Sequence, residues 1–153
     1  MIHVCFALHD EIGRYSKFTG TAMLSLFENT NSQVTVHLLH DNTLTRDNRE
    51  KFIYLAGRYE QAVKFYNVEE LCADKISEMT ALIPSLKNSR LSNAAIYRLI
   101  IPQLLSVCID KCIYLDSDII VNSDIKELWQ VELADKQPLV AVPETFNNGE
   151  VTK

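Results

Sequence analysis

The stretch Y-L-D-S-D-I-I-V, Tyr114 to Val121, decides how this chain is read. Two carboxylates, Asp116 and Asp118, stand two residues apart inside an apolar frame, C-I-Y-L before them and I-I-V after. Asp and Ser are common in solvated turns after strands, but such turns seldom sit inside so apolar a frame. The lead-in from Lys111 to Leu115 predicts a strand that ends at Asp116. In an extended segment residues i and i+2 share a face, so both carboxylates would present their oxygens to one place while Ser117 points away. Neighbouring carboxylates repel, and they require a cation or a retained proton. A hard divalent ion, Mg²⁺ or Mn²⁺, suits one or two carboxylates whose shell is completed by substrate phosphates.

Upstream, the hydrophobic pattern alternates between two periods. Ile2 to Leu8 is a continuous apolar run, the pattern of a strand covered on both faces. Ser16 is placed to cap a helix running to Asn29, with Phe18, Ala22, Met23, Leu26 and Phe27 on one face. Val34 to Leu39 predicts a second strand, and Thr45 to Gly57 a second helix with Phe52, Ile53 and Ala56 inside. Ala62 to Val68 reads as a third strand. Strand, helix, strand, helix, strand argues for a parallel sheet with covering helices. In such sheets ligands bind at the carboxyl ends of the strands, which is where the aspartate pair falls.

The rest is less regular. Residues 69–91 read as a connection across the sheet edge, and S-N-A-A-I-Y-R-L-I-I from Ser92 as a helix that Pro102 kinks or restarts. D-I-K-E-L-W predicts a short helix with Trp129 packed beneath it. Pro138 to Val142 is the last expected strand, followed by a loop.

Composition bounds the function. A chain of 153 residues supports one domain with a real core, and 47% hydrophobic with 23% charged residues is an ordinary soluble composition. A net charge of −5, scattered along the chain, argues against gripping nucleic acid through its phosphates. No apolar run reaches membrane-span length, and M-I-H-V-C-F-A-L lacks the basic lead of a signal peptide. Cys5, Cys72, Cys108 and Cys112 lack zinc-ligand spacing and read as reduced thiols in a cytoplasmic protein.

The segment D-K-C-I-Y-L-D-S-D-I-I-V, followed by D-I-K-E-L-W, resembles the aspartate-x-aspartate region of glycosyltransferase family 8. That family includes bacterial lipopolysaccharide galactosyl- and glucosyltransferases and glycogenin. Y-R-L-I-I-P-Q-L-L resembles the family's preceding helix, and V-C-F-A-L-H-D its first strand and nucleotide-binding turn. The resemblance implies an α/β, Rossmann-like GT-A fold with a mainly parallel sheet. It implies transfer of a hexose from a UDP-sugar, with retention, to a glycan or lipopolysaccharide-type acceptor in cell-wall or lipopolysaccharide biosynthesis. Asp116 and Asp118 match the metal-binding aspartates, with Mn²⁺ (or Mg²⁺) on the diphosphate, and Ser117 lies between them in the donor site. Arg98 matches an arginine near the donor sugar and diphosphate. Ala7, Leu8, His9 and Asp10 match the turn that cradles uridine. Peripheral attachment at the inner membrane face is common among the bacterial relatives.

Two departures stand out. Ile12 occupies the position where the family often stacks an aromatic residue on uracil. The family's third metal ligand, a histidine, comes from a C-terminal motif, whereas His3, His9, His37 and His40 all lie within the first 40 residues. Residues 1–153 therefore read as the nucleotide-sugar-binding half of a C-terminally truncated transferase domain, whose uncovered apolar surface invites self-association. Two other readings compete: an inactive nucleotide-sugar-binding module, and a phosphatase-like hydrolase using D-x-D as nucleophile and acid–base. The last is disfavoured because three strands precede the pair.

Overall fold

The computed structural model describes residues 1–82, 94–105, 109–133 and 139–141. Its centre is β1 (Ile2–Leu8), hydrogen-bonded on one side to β2 (Val34–His40) and on the other to the short β4 (Ile113–Tyr114). β3 (Ala62–Asn67) pairs with the far side of β2. All three pairings are parallel, in the order β3-β2-β1-β4. The α/β architecture and parallel sheet expected from the alternating periods are present.

Side chains alternate across the sheet, and each face has its own cover. Val4, Phe6 and Leu8 of β1 and Val34, Val36 and Leu38 of β2 pack against α1 (Tyr15–Asn29) and α2 (Arg46–Arg58). The helices contribute Ala22, Met23, Leu26 and Phe27, and Phe52 and Ala56. The opposite face presents Cys5, Ala7 and Leu39 to Val68, Tyr97, Ile100 and Ile101. Fully burying a side chain such as Phe6 or Leu26 is worth about 1.5–3 kcal/mol, so the two clusters dominate stability.

Several local expectations are revised. Ser16 does not cap α1: the helix begins at Tyr15, and the Ser16 hydroxyl donates instead to the carboxylate of Asp10. Phe18 and Ile53, expected inside, are half exposed, and Thr19 takes the inward place on α1. Thr45 does cap α2, accepting from the Asn48 amide at 3.2 Å. The third strand ends at Asn67, and Val68 opens α3 (Val68–Leu82), a helix bent at Cys72 where irregular connection was expected. Val68 is buried and anchors that helix to the sheet.

Residues 83–93, including Ser92, lie outside the described residues. Beyond them come α4 (Ala94–Tyr97), a 3₁₀ turn (Arg98–Ile100) and α5 (Ile101–Leu104), which starts with Pro102 in its first turn. Pro102 restarts the helix because it supplies no amide to the turn before it. The expected strand at Lys111 shrinks to two residues, although the Leu115 amide still donates to Cys5 O at 3.0 Å. α6 (Lys126–Trp129) is the short helix anticipated from D-I-K-E-L-W. Residues 139–141 are not in a strand, while Pro138, Val142 and the predicted final loop lie outside the described residues.

Among the buried polar residues of β2 one titratable group has a marked pKa shift. His37 is wholly buried, with Nε2 2.9 Å from His3 Nδ1 and Nδ1 2.9 Å from the Tyr66 hydroxyl. Burial, with His3 and Lys64 nearby, lowers its pKa to about 4 from the ordinary 6.5. The native state thus refuses a proton that the unfolded chain accepts. Stability is unaffected above pH 6.5 and declines as pH falls from there towards 4, by at most about 3 kcal/mol. Denaturant unfolding measured at pH 7, 5.5 and 4 should show this decline, and His37→Gln should flatten it. An unchanged slope in the variant would assign the decline to other groups.

Candidate functional site

The carboxyl ends of the strands gather four chain segments. After β1 comes the turn His9–Gly13, closed by the Gly13 amide donating to Asp10 O at 3.0 Å. Gly13 has a φ of +70°, a conformation that glycine adopts without steric cost. After β2 comes Asp41–Thr43, after β4 the turn at Ser117–Asp118, and α4 with the 3₁₀ turn that follows brings Tyr97 and Arg98 to the same end.

Asp10 and Asp41 build this frame from within. Asp10 is buried, and its carboxylate accepts from Ser16 and, at 3.2 Å, from Asn48 Nδ2. It therefore ties the turn to α1 and α2 and faces the interior. Asp41 is 2% exposed. Its carboxylate accepts from the Thr43 amide at 2.9 Å, the Thr43 hydroxyl, His9 Nδ1 at 2.6 Å and the Tyr97 hydroxyl at 2.9 Å. Burial alone would raise its pKa, but these bonds together hold it below the usual carboxylate value. Burial, then the Asp41 charge, pushes the Tyr97 phenol up, so it stays protonated and donates. Asp41 and Tyr97 escaped the sequence reading. The available signal was a single Asp directly after the apolar strand V-T-V-H-L-L-H, at the same topological place as Asp10 after β1.

The aspartate pair is mounted differently. Ser117 and Asp118 form a turn, not an extended segment, so the alternation expected from a strand does not apply. Asp116 and Asp118 are nevertheless both exposed, and Ser117 is buried, its hydroxyl donating to Ala7 O at 3.1 Å. Downstream, the Val121 amide donates to Ser25 Oγ and Asn29 Nδ2 donates to Val121 O, each at 3.0 Å. The turn is thus clamped to β1 on one side and to α1 on the other.

Asp116 has two further neighbours. The Tyr114 hydroxyl donates to its Oδ1 at 3.1 Å, and Arg98 Nη1 lies 3.9 Å from the same oxygen. The Arg98 guanidinium also sits 5.1 Å from the centre of the Tyr114 ring. The structure therefore brings Arg98, Tyr114 and Asp116 together, which spacing in the sequence does not reveal. Ala7 and Leu8 are buried and offer the site only backbone groups, while His9 is partly exposed. Ile12 projects into solvent at 71% exposure. Two surface hollows lie elsewhere, one along α3 to Gln103 and one between α2 and β3, and neither is lined by a predicted site residue.

The residues able to hold a cation are the exposed oxygens of Asp116 and Asp118, a hard donor set that suits Mn²⁺ or Mg²⁺. Among the described residues no group of three His, Cys, Asp or Glu side chains converges. An ion held by these two carboxylates would take the rest of its shell from water and phosphate oxygens.

The family model for glycosyl transferase family 8 matches residues 4–152. A probable galacturonosyltransferase-like 4 of Arabidopsis thaliana is 31% identical over 94% of this chain and 38% of its own length. General stress protein A of Bacillus subtilis strain 168 is 25% identical over 78% of this chain and 40% of its own. The chain thus spans about two fifths of the length of these curated relatives. Among solved structures, the galactosyltransferase LgtC in complex with donor and acceptor sugar analogs matches 88% of this chain and 44% of its own. It does so with a TM-score of 0.64 at 22% identity. The WbbM bifunctional glycosyltransferase matches 87% of this chain and 21% of its own with a TM-score of 0.64 at 21% identity. These likenesses establish the GT-A fold.

The Ser117 clamp is open to test. Ser117→Ala should lower unfolding free energy by about 1 kcal/mol, the usual worth of one buried hydrogen bond. Denaturant titration would read this, and an unaltered midpoint would show that the bond does not hold the turn.

Proposed function

The chain belongs to glycosyl transferase family 8, and from that premise we propose that residues 1–153 form the nucleotide-sugar-binding part of a retaining transferase. Its donor is a UDP-hexose and its acceptor a carbohydrate, of glycan or lipopolysaccharide type. The observation that carries this reading is the pair of exposed carboxylates clamped beside the turn after β1. The name of one relative, galacturonosyltransferase-like, supports a galactose-type sugar as the transferred unit.

In this reading Asp116 and Asp118 hold Mn²⁺ or Mg²⁺ against the diphosphate. When bound, the ion supplies Lewis-acid stabilisation of the charge that develops on the leaving diphosphate. Tyr114 orients Asp116 by donating to Oδ1, which leaves Oδ2 free to face a ligand. Arg98 stands beside Asp116, and its planar fork suits phosphate or sugar hydroxyl oxygens. The backbone of Ala7, Leu8, His9 and Asp10 lines the uridine, and Ile12 offers apolar contact where relatives stack an aromatic ring. Asp10 serves this turn from within, by fixing it to α1 and α2.

Among the described residues no helix is long and apolar enough to cross a membrane. We place the protein in the cytoplasm, with peripheral contact at the inner membrane face. A nucleotide-sugar-binding module without turnover is the second reading. Product formation from UDP-hexose separates the two.

Titration of UDP into the chain with and without Mn²⁺ tests the site. Asp118→Asn should abolish the metal-dependent part of binding and leave the melting temperature unchanged. Retained Mn²⁺ dependence in that variant would remove Asp118 from the metal site. Arg98→Ala should weaken UDP-hexose roughly tenfold more than UDP, the worth of one charge-assisted contact. Equal weakening of both would take Arg98 away from the sugar.

A further inference from the structure

The histidine that follows β1 is held in a defined state. Asp41 is buried, and its hydrogen bonds keep it ionised. An ionised carboxylate only accepts, so His9 Nδ1, 2.6 Å from Asp41 Oδ2, carries a hydrogen. Tyr97 and Thr43 satisfy the remaining acceptor capacity of Asp41, so the carboxylate is fixed before any ligand arrives. The opposite ring nitrogen, Nε2, faces the exposed side, where its charged neighbour is Glu11 at 3.9 Å, itself 79% exposed. In the neutral ring Nε2 therefore carries a lone pair at the mouth of the turn after β1.

We propose that Asp41 is a positioning residue that fixes His9 as its Nδ1–H tautomer, so that Nε2 accepts the imino N–H of the donor's uracil. This rests on the UDP-sugar reading above and assigns the base contact to a side chain. Uracil presents one imino N–H between two carbonyl oxygens, so a fixed acceptor beside the base discriminates for it. The arrangement also accounts for an exposed Ile12: with a side chain reading the edge of the base, recognition does not depend on an aromatic ring at that position.

The test combines a spectroscopic and a thermodynamic readout on the 153-residue chain. Long-range ¹H–¹⁵N NMR should show the wild-type His9 ring protonated at Nδ1. Asp41→Asn should shift it to a tautomer mixture; its thermal melt checks folding. UDP binding with Mn²⁺ should fall roughly tenfold in Asp41→Asn and in His9→Ala, the worth of one hydrogen bond, with no further loss in the double variant. Binding of inorganic pyrophosphate with Mn²⁺ should be unchanged in all three. A wild-type His9 protonated at Nε2 overturns the proposal even if no variant folds. Additive losses, or equal loss of pyrophosphate, overturn it while the UDP reading stands. Failure of the wild-type chain to bind UDP with Mn²⁺ overturns the donor reading, and this proposal with it.

Discussion

β1 is hydrogen-bonded to β2 and to β4 in the same direction, and parallel neighbours cannot be joined by hairpins. Each return must cross the sheet, so every strand delivers its carboxyl end to one edge. The turns after β1, β2 and β4 meet there, although their residues are far apart in sequence. Apolar alternation along β1 and β2 secures this arrangement by giving each face its own helical cover. The chemistry at the edge follows from the topology before any single polar residue is considered.

At that edge the carboxylates divide by burial. Asp10 and Asp41 are inside, and protein donors use Oδ2 of Asp10 and both oxygens of Asp41 to join strands to helices. Asp41 can remain buried as an ion only because it is so provided for. Asp116 and Asp118 are outside, and among the described residues Asp116 has only the Tyr114 hydroxyl as a hydrogen-bond donor, with Arg98 at longer range. Their spare acceptor capacity faces solvent, which is what a ligand-binding carboxylate requires. Burial thus separates identical side chains into a frame, Asp10 and Asp41, and a candidate site, Asp116 and Asp118.

The alternation of elements was legible because hydrophobic periodicity reports directly on burial. β1 matches its predicted limits, and α1, β2, α2 and β3 match theirs within a residue or so. α3 was not legible: the apolar positions of V-E-E-L-C-A-D-K-I-S follow no clean helical stripe across the bend at Cys72, and Val68, Cys72, Ile76 and Met79 are what pack it against the sheet. Phe18 and Ile53 misled because helical spacing marks a face but not how far the neighbouring sheet extends beneath it. The aspartate pair was legible from its apolar frame, though a turn, not a strand, exposes it. The Asp41–His9–Tyr97 group was not, since it joins residues 32 and 56 positions apart. Local pattern carries no information about such pairings.

The two-residue β4 has a kinetic consequence. Ser117 meets Ala7 across 110 residues, and closing a loop of that length costs roughly 4 kcal/mol of chain entropy. β2 reaches β1 over a much shorter loop and repays it with seven paired residues, whereas β4 repays its own with two. The segment bearing the aspartates, held also by the Ser117 and Val121 bonds, thus docks late against the other three strands and forms a seam with them. Any ligand that bridges the turn after β1 and the turn after β4 acts as a staple across that seam, and its binding energy goes into holding the seam shut.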